Sequence, residues 1–254
     1  MDNLDRKRLE YEIQLAKQSA EKGFASGYLN LADMYATGNE FIEKDIDKAI
    51  SFYDMALANI KGDCTGDINR AYTAKAWLYV SLWRKDRHMG WIDKAISTLV
   101  SGVDSPSLPS VRAATTLGDL YSNHLADKDW PLHDYSKAVY YYKRAIDVDY
   151  KLRHTPAFAK FVDEACLNQA YDGLARIYWN GLGVPADKDK AFFYALKSLK
   201  ECPQSHLIHA QLKEMFDAGI AGQISRNLSN ACIRHDFYTL LDFIRIIEMQ
   251  YGQL

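Results

Sequence analysis

The pentapeptide Asp-Lys-Ala-Ile-Ser occurs twice in the chain, at positions 47–51 and 93–97, which are 46 residues apart. Two further Lys-Ala pairs, beginning at Lys137 and Lys190, continue the series at intervals of 43 and 53 residues. Recurrence at such a period is typical of repeat proteins, in which each repeat is one supersecondary unit that stacks on its neighbours. The sequence therefore predicts about four similar repeats.

A second marker precedes each Lys-Ala pair. It is a small residue, then a leucine four positions later, a second small residue directly after it, and a tyrosine three positions further on; in the second repeat Lys75 replaces the leucine. Because offsets of four, five and eight residues share one helix face, the marker predicts a helix, called helix A. The tyrosines are Tyr35, Tyr79, Tyr121 and Tyr178, the first small residues are Gly27, Ala71, Ala113 and Ala170, and the second are Ala32, Ala76, Gly118 and Ala175.

The Lys-Ala pair opens a second helix, called helix B. Three residues after each alanine stands Phe52, Thr98, Tyr141 or Tyr194, and seven after it stands a small residue, namely Ala56, Gly102, Ala145 or Ser198. Small residues let helices approach closely, and the aromatic rings fill the space beside those contacts. Each repeat is therefore expected to be an antiparallel pair of helices.

Composition excludes several classes of protein. The 254 residues are 48% hydrophobic and 25% charged, which argues against extended disorder, and only 6 prolines and 14 glycines argue against a turn-rich β-sandwich. The net charge is −2, and the densest basic stretch, at 84–88, is interrupted by Asp86, so we expect no nucleic-acid partner. No long apolar segment or secretory signal is evident, so we expect no membrane partner and a cytoplasmic location.

The combined pattern resembles the Sel1-like repeat, a relative of the tetratricopeptide repeat. The best match spans 170–198 and contains Leu174, Ala175, Tyr178 and Gly181, followed by Asp187 and the Lys-Ala pair at Lys190. The second repeat departs from the family pattern, because Leu82 replaces a glycine and Trp91 an aspartate, and the third has His124 in a glycine position. The resemblance implies an all-α, right-handed α-solenoid of antiparallel helix pairs.

The expected organisation follows from the markers and their ends. Residues 1–23 predict an N-terminal capping helix, and 24–202 about four repeats, at 24–62, 67–103, 110–148 and 155–202. Residues 203–254 lack the markers and predict a C-terminal helical cap of two or three helices. Thr155 and Pro156 resemble the start of a long helix A in the fourth repeat. The apolar face of 236–250 predicts packing onto the last repeat or, alternatively, a homodimer contact.

The sequence contains no motif for catalysis or for a cofactor, such as a nucleophile elbow or a P-loop. His206 and His209 are spaced to share one metal ion, but no third ligand accompanies them, so we expect no metal site. Asp45 and Asp187 precede helix B and are interpreted as N-terminal caps rather than as acid–base groups. The four cysteines, at 64, 166, 202 and 232, are widely spaced and predict reduced thiols.

The resemblance implies a binding surface on the concave wall lined by helix A. The positions expected to be exposed there include Leu29, Val80 and Ser122. The predicted partner-binding residues are Asp33, Arg70, Thr73, Trp77, Arg112, Thr115, Asp119, Asp172, Arg176 and Trp179. Tryptophan and arginine are favoured at interface hot spots. Two alternatives stay open: that Trp77 and Trp179 pack inside the stack, and that Arg112 and Arg176 neutralise Asp119 and Asp172 within the wall.

These features predict a non-enzymatic adaptor that binds a protein or peptide and holds no cofactor. One alternative is an immunity protein that occludes a toxin, which the family resemblance permits. A more remote alternative is a hydrolase or a metal enzyme. The 17 tyrosines suggest sticky binding surfaces at first sight, but eight of them occupy repeat positions and are expected to stack helices instead.

Overall fold

The computed structural model describes residues 3–59, 65–106, 109–123, 128–156, 164–220, 222 and 225–251. These residues form helices and no strand, which confirms the predicted all-α class. The α-helices are α1 (Asn3–Glu21), α2 (Ala25–Thr37), α3 (Ile46–Ala58), α4 (Thr65–Asp86), α5 (Met89–Val103), α6 (Val111–Tyr121), α7 (Tyr135–Arg153), α8 (Glu164–Asn180), α9 (Lys188–Glu201), α10 (His206–Asp217), α11 (Ser225–Ile233) and α12 (Phe237–Tyr251).

The chain divides into two compact units. The first comprises Met1–Ala113 and Arg153–Val162, and the second Ala114–Leu152 and Asp163–Leu254. In the first unit each of the helices α1 to α5 packs on the next. In the second unit each of the helices α8 to α12 packs on the next, and α12 also contacts α9. The predicted division into two caps and four repeats stays a prediction.

An aspartate closes the turn between helix A and helix B in three repeats. The backbone N–H of Asp45 donates to the carbonyl of Tyr35 at 2.9 Å, and its carboxylate accepts from the backbone N–H of Lys48 at 3.0 Å. The first bond ties the start of helix B to the end of helix A, and the second caps helix B. Asp134 and Asp187 make the same two bonds in their own turns.

The capping bonds fix the chemistry of these carboxylates. The N–H and ammonium of Lys48 lower the pKa of Asp45, and those of Lys190 lower the pKa of Asp187. Both groups are therefore anionic caps, as the sequence predicts.

Each motif tyrosine stacks on an aromatic ring of helix B and lies beneath a lysine. Tyr35 stacks on Phe52 with ring centroids 5.4 Å apart, and the ammonium of Lys48 lies 5.4 Å from the Tyr35 ring centre. Because a cation is attracted to the face of an aromatic ring, the lysine completes the stack. The equivalent stacks are Tyr121–Tyr141 beneath Lys137 and Tyr178–Tyr194 beneath Lys190.

The second repeat reaches the same arrangement with different residues. Its helix B has Thr98 in the aromatic position, and Trp91 takes over by stacking on Tyr79 at 5.9 Å. Lys94 lies over both rings, and the indole N–H of Trp91 donates to Asp86 at 2.9 Å. The departure at Trp91 therefore keeps the stack while giving up the aspartate cap.

Close approach of the helices is clearest around Tyr142 in the second unit. A Cβ atom at Gly118 would lie 2.4 Å from the Tyr142 ring, and a Cβ atom at Gly173 would also lie 2.4 Å from it. Real Cβ atoms do not approach other atoms so closely, so only glycine fits at these two positions. The fully buried ring thereby fills the space between α6 and α8.

The start of the fourth repeat differs from expectation. Thr155 and Pro156 lie in a bend and a turn that follow α7, so a helix does not begin there. Proline restricts the preceding residue to extended conformations, which favours such a turn. Residues 157–163, over which the predicted helix would continue, lie outside the described residues.

The cap has three helices, α10 to α12, within the predicted range. On α12, Leu240, Phe243 and Ile244 are buried, and Phe243 contacts Phe192 and Phe216. This confirms packing of the cap helix onto the last repeat. The opposite side exposes Ile246 and Met249, and the homodimer contact there stays a prediction.

Candidate functional site

The helix-A face of the first unit is organised around Asp33. Its carboxylate accepts from the hydroxyl of Tyr53 at 2.5 Å and from the guanidinium of Arg70, which also donates to Asn30 at 3.0 Å. Asp33 comes from α2, Tyr53 from α3 and Arg70 from α4, so one carboxylate joins three helices. Both Asp33 and Arg70 stay about 40% exposed, so the pair is weak in itself.

An open groove lies beside this pair. It has a volume of about 380 Å³ and is lined by Glu12, Leu15, Ala16, Asn30, Asp33, Met34 and Arg70. The groove is bounded by α1, α2 and α4, which line it with apolar side chains from α1 and α2 and with the charged pair. Two of the predicted binding residues, Asp33 and Arg70, therefore meet at one surface.

In the second unit, Asp119 accepts a hydrogen bond from a helix-B tyrosine, as Asp33 does in the first unit. This residue follows Gly118 just as Asp33 follows Ala32, and its carboxylate accepts from the hydroxyl of Tyr142 at 2.7 Å. Ser122 lies 3.1 Å from the same hydroxyl. Burial raises the pKa of Asp119 to about 7, a rise opposed by Tyr142 and Arg176 and supported by Asp172. Burial likewise raises the pKa of Tyr142 well above its usual value.

Asp172 and Arg176 lie one turn apart on α8. Burial raises the pKa of Asp172 to about 6, and the charge of Arg176 opposes that rise. Asp172 Oδ1 and two nitrogens of Arg176, Nε and Nη2, are buried and have no hydrogen-bond partner in the part of the chain that the structure describes. Buried polar groups of this kind are rare and costly, so each calls for an explanation. The positive charge of Arg176 thus lowers the pKa of both Asp119 and Asp172, in line with the neutralisation that the sequence suggests. Arg176 makes no hydrogen bond from Nε or Nη2 to a described residue.

A cavity of about 180 Å³ lies next to Arg176, between α8 and α10. The indole N–H of Trp179 donates to Glu214 at 2.6 Å, and Lys188 lies 3.6 Å from the centre of the Trp179 ring. Gln211 donates to the carbonyl of Asp172 at 3.2 Å, while its own Oε1 is buried and meets no hydrogen-bond partner among the described residues. The cavity is lined by Arg176, Trp179, Asn180, Gln211, Glu214 and Met215.

Several residues expected to be exposed are buried, and that part of the prediction is wrong. In each unit helix A packs against more than one neighbouring helix, so fewer of its positions face solvent than expected. The hydroxyl of Thr73 donates to the carbonyl of Asn69 in its own helix, which lets a polar residue be buried there. The buried residues are Leu29, Thr73, Val80, Thr115, Ser122, Asp172 and Trp179.

The remaining predicted residues, Trp77, Arg112, Asp119 and Arg176, keep part of their surface exposed, although the carboxylate of Asp119 is itself buried enough to raise its pKa. Burial of Trp179 agrees with the alternative that this ring packs inside the stack, whereas Trp77 keeps part of its surface. The binding role of all ten residues stays a prediction.

Gln211 and Glu214 were missed as site residues because they lie in the cap, where no repeat marker fixes their register. The tyrosines paired with Asp33 and Asp119 were also missed in that role. A signal was present for them, since Tyr53 and Tyr142 both stand four residues after the Lys-Ala alanine, beside helix A. Asp33 and Asp119 directly follow the second small residue of the helix-A marker. Pairing this helix-A position with the tyrosine position of helix B would have predicted both hydrogen bonds.

The cap brings a third imidazole to the two that the sequence singled out. His235 contacts both His206 and His209, but through its two different ring nitrogens, so the three rings do not converge on one point. In the described ranges, no group of three or more His, Cys, Asp or Glu side chains is placed to hold a metal ion. No described helix is long and apolar enough to cross a membrane.

Two of the cysteines can be placed. Cys202 and Cys232 are free thiols, and burial raises the pKa of Cys232 to about 12. A thiol with so high a pKa is unreactive at neutral pH. Cys64 and the side chain of Cys166 lie outside what the structure describes.

The sequence model of the Sel1 repeat matches residues 25–59, 117–150 and 168–201. The predicted second repeat, which lacks the aspartate and glycine of the pattern, is not among these ranges. No curated protein matches the chain.

Solved structures include similar chains. A Sel1 repeat protein from Oxalobacter formigenes is 23% identical with a TM-score of 0.48, and the match covers 74% of this chain and 63% of that one. The protein c5321, a protective antigen present in uropathogenic Escherichia coli strains displaying an SLR fold, is 17% identical with a TM-score of 0.25. That match covers 88% of this chain and 55% of the other. The chain thus spans less than two thirds of either protein.

Proposed function

Because the chain is a Sel1 repeat protein, we propose that it is a non-enzymatic scaffold that binds another protein or peptide on its helix-A face. Proteins of this family generally mediate protein–protein interactions and are typically not enzymes. The proposed contact points are the groove beside Asp33 and Arg70 in the first unit and the cavity beside Arg176 in the second.

The observation that carries the proposal is the incomplete polar site at the cavity. Within the described ranges, Arg176 Nε and Nη2 are donors without a partner, and Gln211 Oε1 is an acceptor without one. A cavity of about 180 Å³ is large enough for one small side chain, since an engineered cavity of about 150 Å³ can hold benzene. A group that both accepts and donates hydrogen bonds, such as a peptide bond or a side-chain amide of a partner, would match both kinds of atom. All three atoms have almost no solvent-accessible surface, so the side chains of Arg176 and Gln211 must turn toward the cavity to meet it.

The surrounding charges favour a neutral group over an ion. Glu214 and the two buried aspartates, Asp119 and Asp172, oppose entry of a carboxylate, while the guanidinium of Arg176 opposes entry of a cation. Trp179 supplies an apolar wall that is held in place by Glu214. We therefore propose a peptide segment with an amide side chain as the bound element, with Arg176 and Gln211 as its contacts.

Affinity capture with matched variants tests the proposal. The tagged wild type is expected to retain a protein from native lysate, and Arg176→Ala to lose at least nine tenths of it while keeping its helical circular dichroism. Arg144→Ala, on helix B, removes the same charge away from the site and is expected to retain the partner. Equal retention by all three proteins would place binding elsewhere.

Toxin neutralisation remains a narrower form of the same proposal. No described residue favours a toxin over another protein, so the identity of the captured partner decides between them. Rescue of cells from a captured toxin by the wild type, and not by Arg176→Ala, would establish it.

A further inference from the structure

The three histidines of the cap form a continuous chain of contacts. His209 Nε2 lies 2.8 Å from the carbonyl oxygen of Pro203, and His209 Nδ1 lies 2.9 Å from Nδ1 of His235. His235 Nε2 lies 3.3 Å from Nδ1 of His206. The chain joins the segment before α10, two successive turns of α10, and the link between α11 and α12.

The carbonyl at one end fixes the direction of every bond. A carbonyl oxygen only accepts, so His209 Nε2 carries a proton. If all rings are neutral, His209 Nδ1 accepts from His235 Nδ1–H, and His235 Nε2 accepts from His206 Nδ1–H. His206 Nε2 is left as the one ring nitrogen of the chain without a partner among the described residues.

This arrangement can hold three or four ring protons but not five. A fourth proton goes to His206 Nε2, and it leaves both ring–ring bonds intact. A fifth would place two protons between one pair of facing nitrogens, which breaks that hydrogen bond and sets two cations side by side. The three histidines in contact therefore accept one added proton, whereas three separated histidines accept three.

The backbone at His235 indicates that the contact is specific. Its φ of 52° lies in the left-handed region, where helices commonly end in glycine or asparagine rather than in a histidine. The following N–H, of Asp236, donates to the carbonyl of Ala231 at 2.9 Å, which is the bond expected at such a helix end. The unusual residue here is the one that bridges the other two rings.

No carboxylate in the described chain lies within ion-pair distance of these rings, so no ion pair stabilises a second positive charge on them. Burial lowers the pKa of His209, and the neighbouring His235 and His206 lower it further. Asp236 accepts instead from the amide and hydroxyl of Thr239. The other charged or titratable groups on the elements packed around the cluster include Asp172 and Arg176 on α8, Lys200, Glu201 and Cys202 at the end of α9, Lys213, Glu214 and Asp217 on α10, and Arg234 after α11.

We propose that His206, His209 and His235 form a proton-sensitive latch, which holds α10 to the α11–α12 link at neutral pH and opens below about pH 6. The sign follows from linkage. The open state binds up to two more protons than the closed state, so closing is favoured at high pH and is lost as pH falls through the ordinary histidine pKa of about 6.5. Because α10 also carries Gln211 and Glu214, opening would alter the cavity beside Arg176.

Hydrogen exchange of the full chain, measured by mass spectrometry between pH 7.5 and 5.5, tests the latch after correction for the intrinsic exchange rate. With two extra protons and a pKa of about 6.5, the opening equilibrium of peptides covering 203–236 should rise about 100-fold over this range. His235→Asn, which tolerates the left-handed backbone and does not titrate, should reduce the rise to about 10-fold or less. His133→Asn, an exposed histidine in the same unit, should leave the full rise unchanged.

Two results would overturn the proposal. One is a wild-type opening equilibrium that changes less than about 3-fold between the two pH values. The other is a full pH-dependent rise that persists in His235→Asn. If His235→Asn destabilises the cap at all pH values, nitrogen NMR of the wild type decides: His209 should be protonated at Nε2 and His235 at Nδ1 at pH 7.5, and the opposite tautomers would refute the latch.

Discussion

Tyr142 illustrates how single residues set the spacing of the helices in the second unit. Its ring occupies the space left by Gly118 and Gly173, and its hydroxyl bonds to the buried carboxylate of Asp119. Gly118 could be predicted from its place in the repeat marker. Gly173 could not, because it lies outside the marker and its role depends on which ring packs against α8.

Gly173→Ala should destabilise the protein by about 1–3 kcal/mol, because the added methyl group would overlap the Tyr142 ring in a packed core. Gly66→Ala is the matched control, since a Cβ atom there meets nothing within 4 Å, and its stability should be equal to the wild type or slightly higher. Urea unfolding followed by circular dichroism measures both changes. A Gly173→Ala protein as stable as the control would contradict the close packing.

Asp119→Asn should gain stability relative to the wild type as pH rises. The pKa of Asp119 is about 7 in the folded state and near 4 in the unfolded state. Between these two values the folded protein keeps a proton that the unfolded chain releases, so the stability of the wild type falls as pH rises. The advantage of asparagine should therefore grow between pH 5 and 7, by at most about 1.4 kcal/mol per pH unit. Denaturant midpoints at several pH values would show it, and a difference that does not vary with pH would contradict the raised pKa.

Among the helices, the regular features of the repeats were predictable and the compensations were not. The period, the helix pairs and the aspartate caps follow from markers that recur in the sequence. The second repeat departs from those markers at Trp91 and Thr98, and the sequence gives no sign that one departure offsets the other. Ring stacking between Trp91 and Tyr79 depends on tertiary packing, which a periodic pattern does not specify.

Trp91→Ala should lower the free energy of unfolding by at least about 1 kcal/mol, since it removes an aromatic pair and the contact with Lys94. Adding Thr98→Phe should recover part of that loss, because it restores the aromatic position used by the other three repeats. Chemical denaturation of the single and double variants tests this. A double variant less stable than Trp91→Ala would show that the second repeat does not share the common stack.

For the molecule as a whole, the fold class and family could be inferred from sequence, but the geometry of the candidate site could not. The cavity in the second unit is formed by α8 together with α10, and α10 lies in a cap without repeat markers. Gln211 and Glu214 therefore had no predicted register. Burial of Asp172 was missed, and burial of Trp179 stayed one of two alternatives, for a related reason, since both depend on which helix covers the end of the last repeat.

The central claim, that a partner binds at the cavity between α8 and α10, is tested most directly by hydrogen exchange of the purified complex against the free protein. The account predicts that the partner slows exchange in peptides covering 164–180 and 206–217, with little change across 135–153. Protection confined to 135–153 or 188–201, with none at α8 and α10, would contradict it.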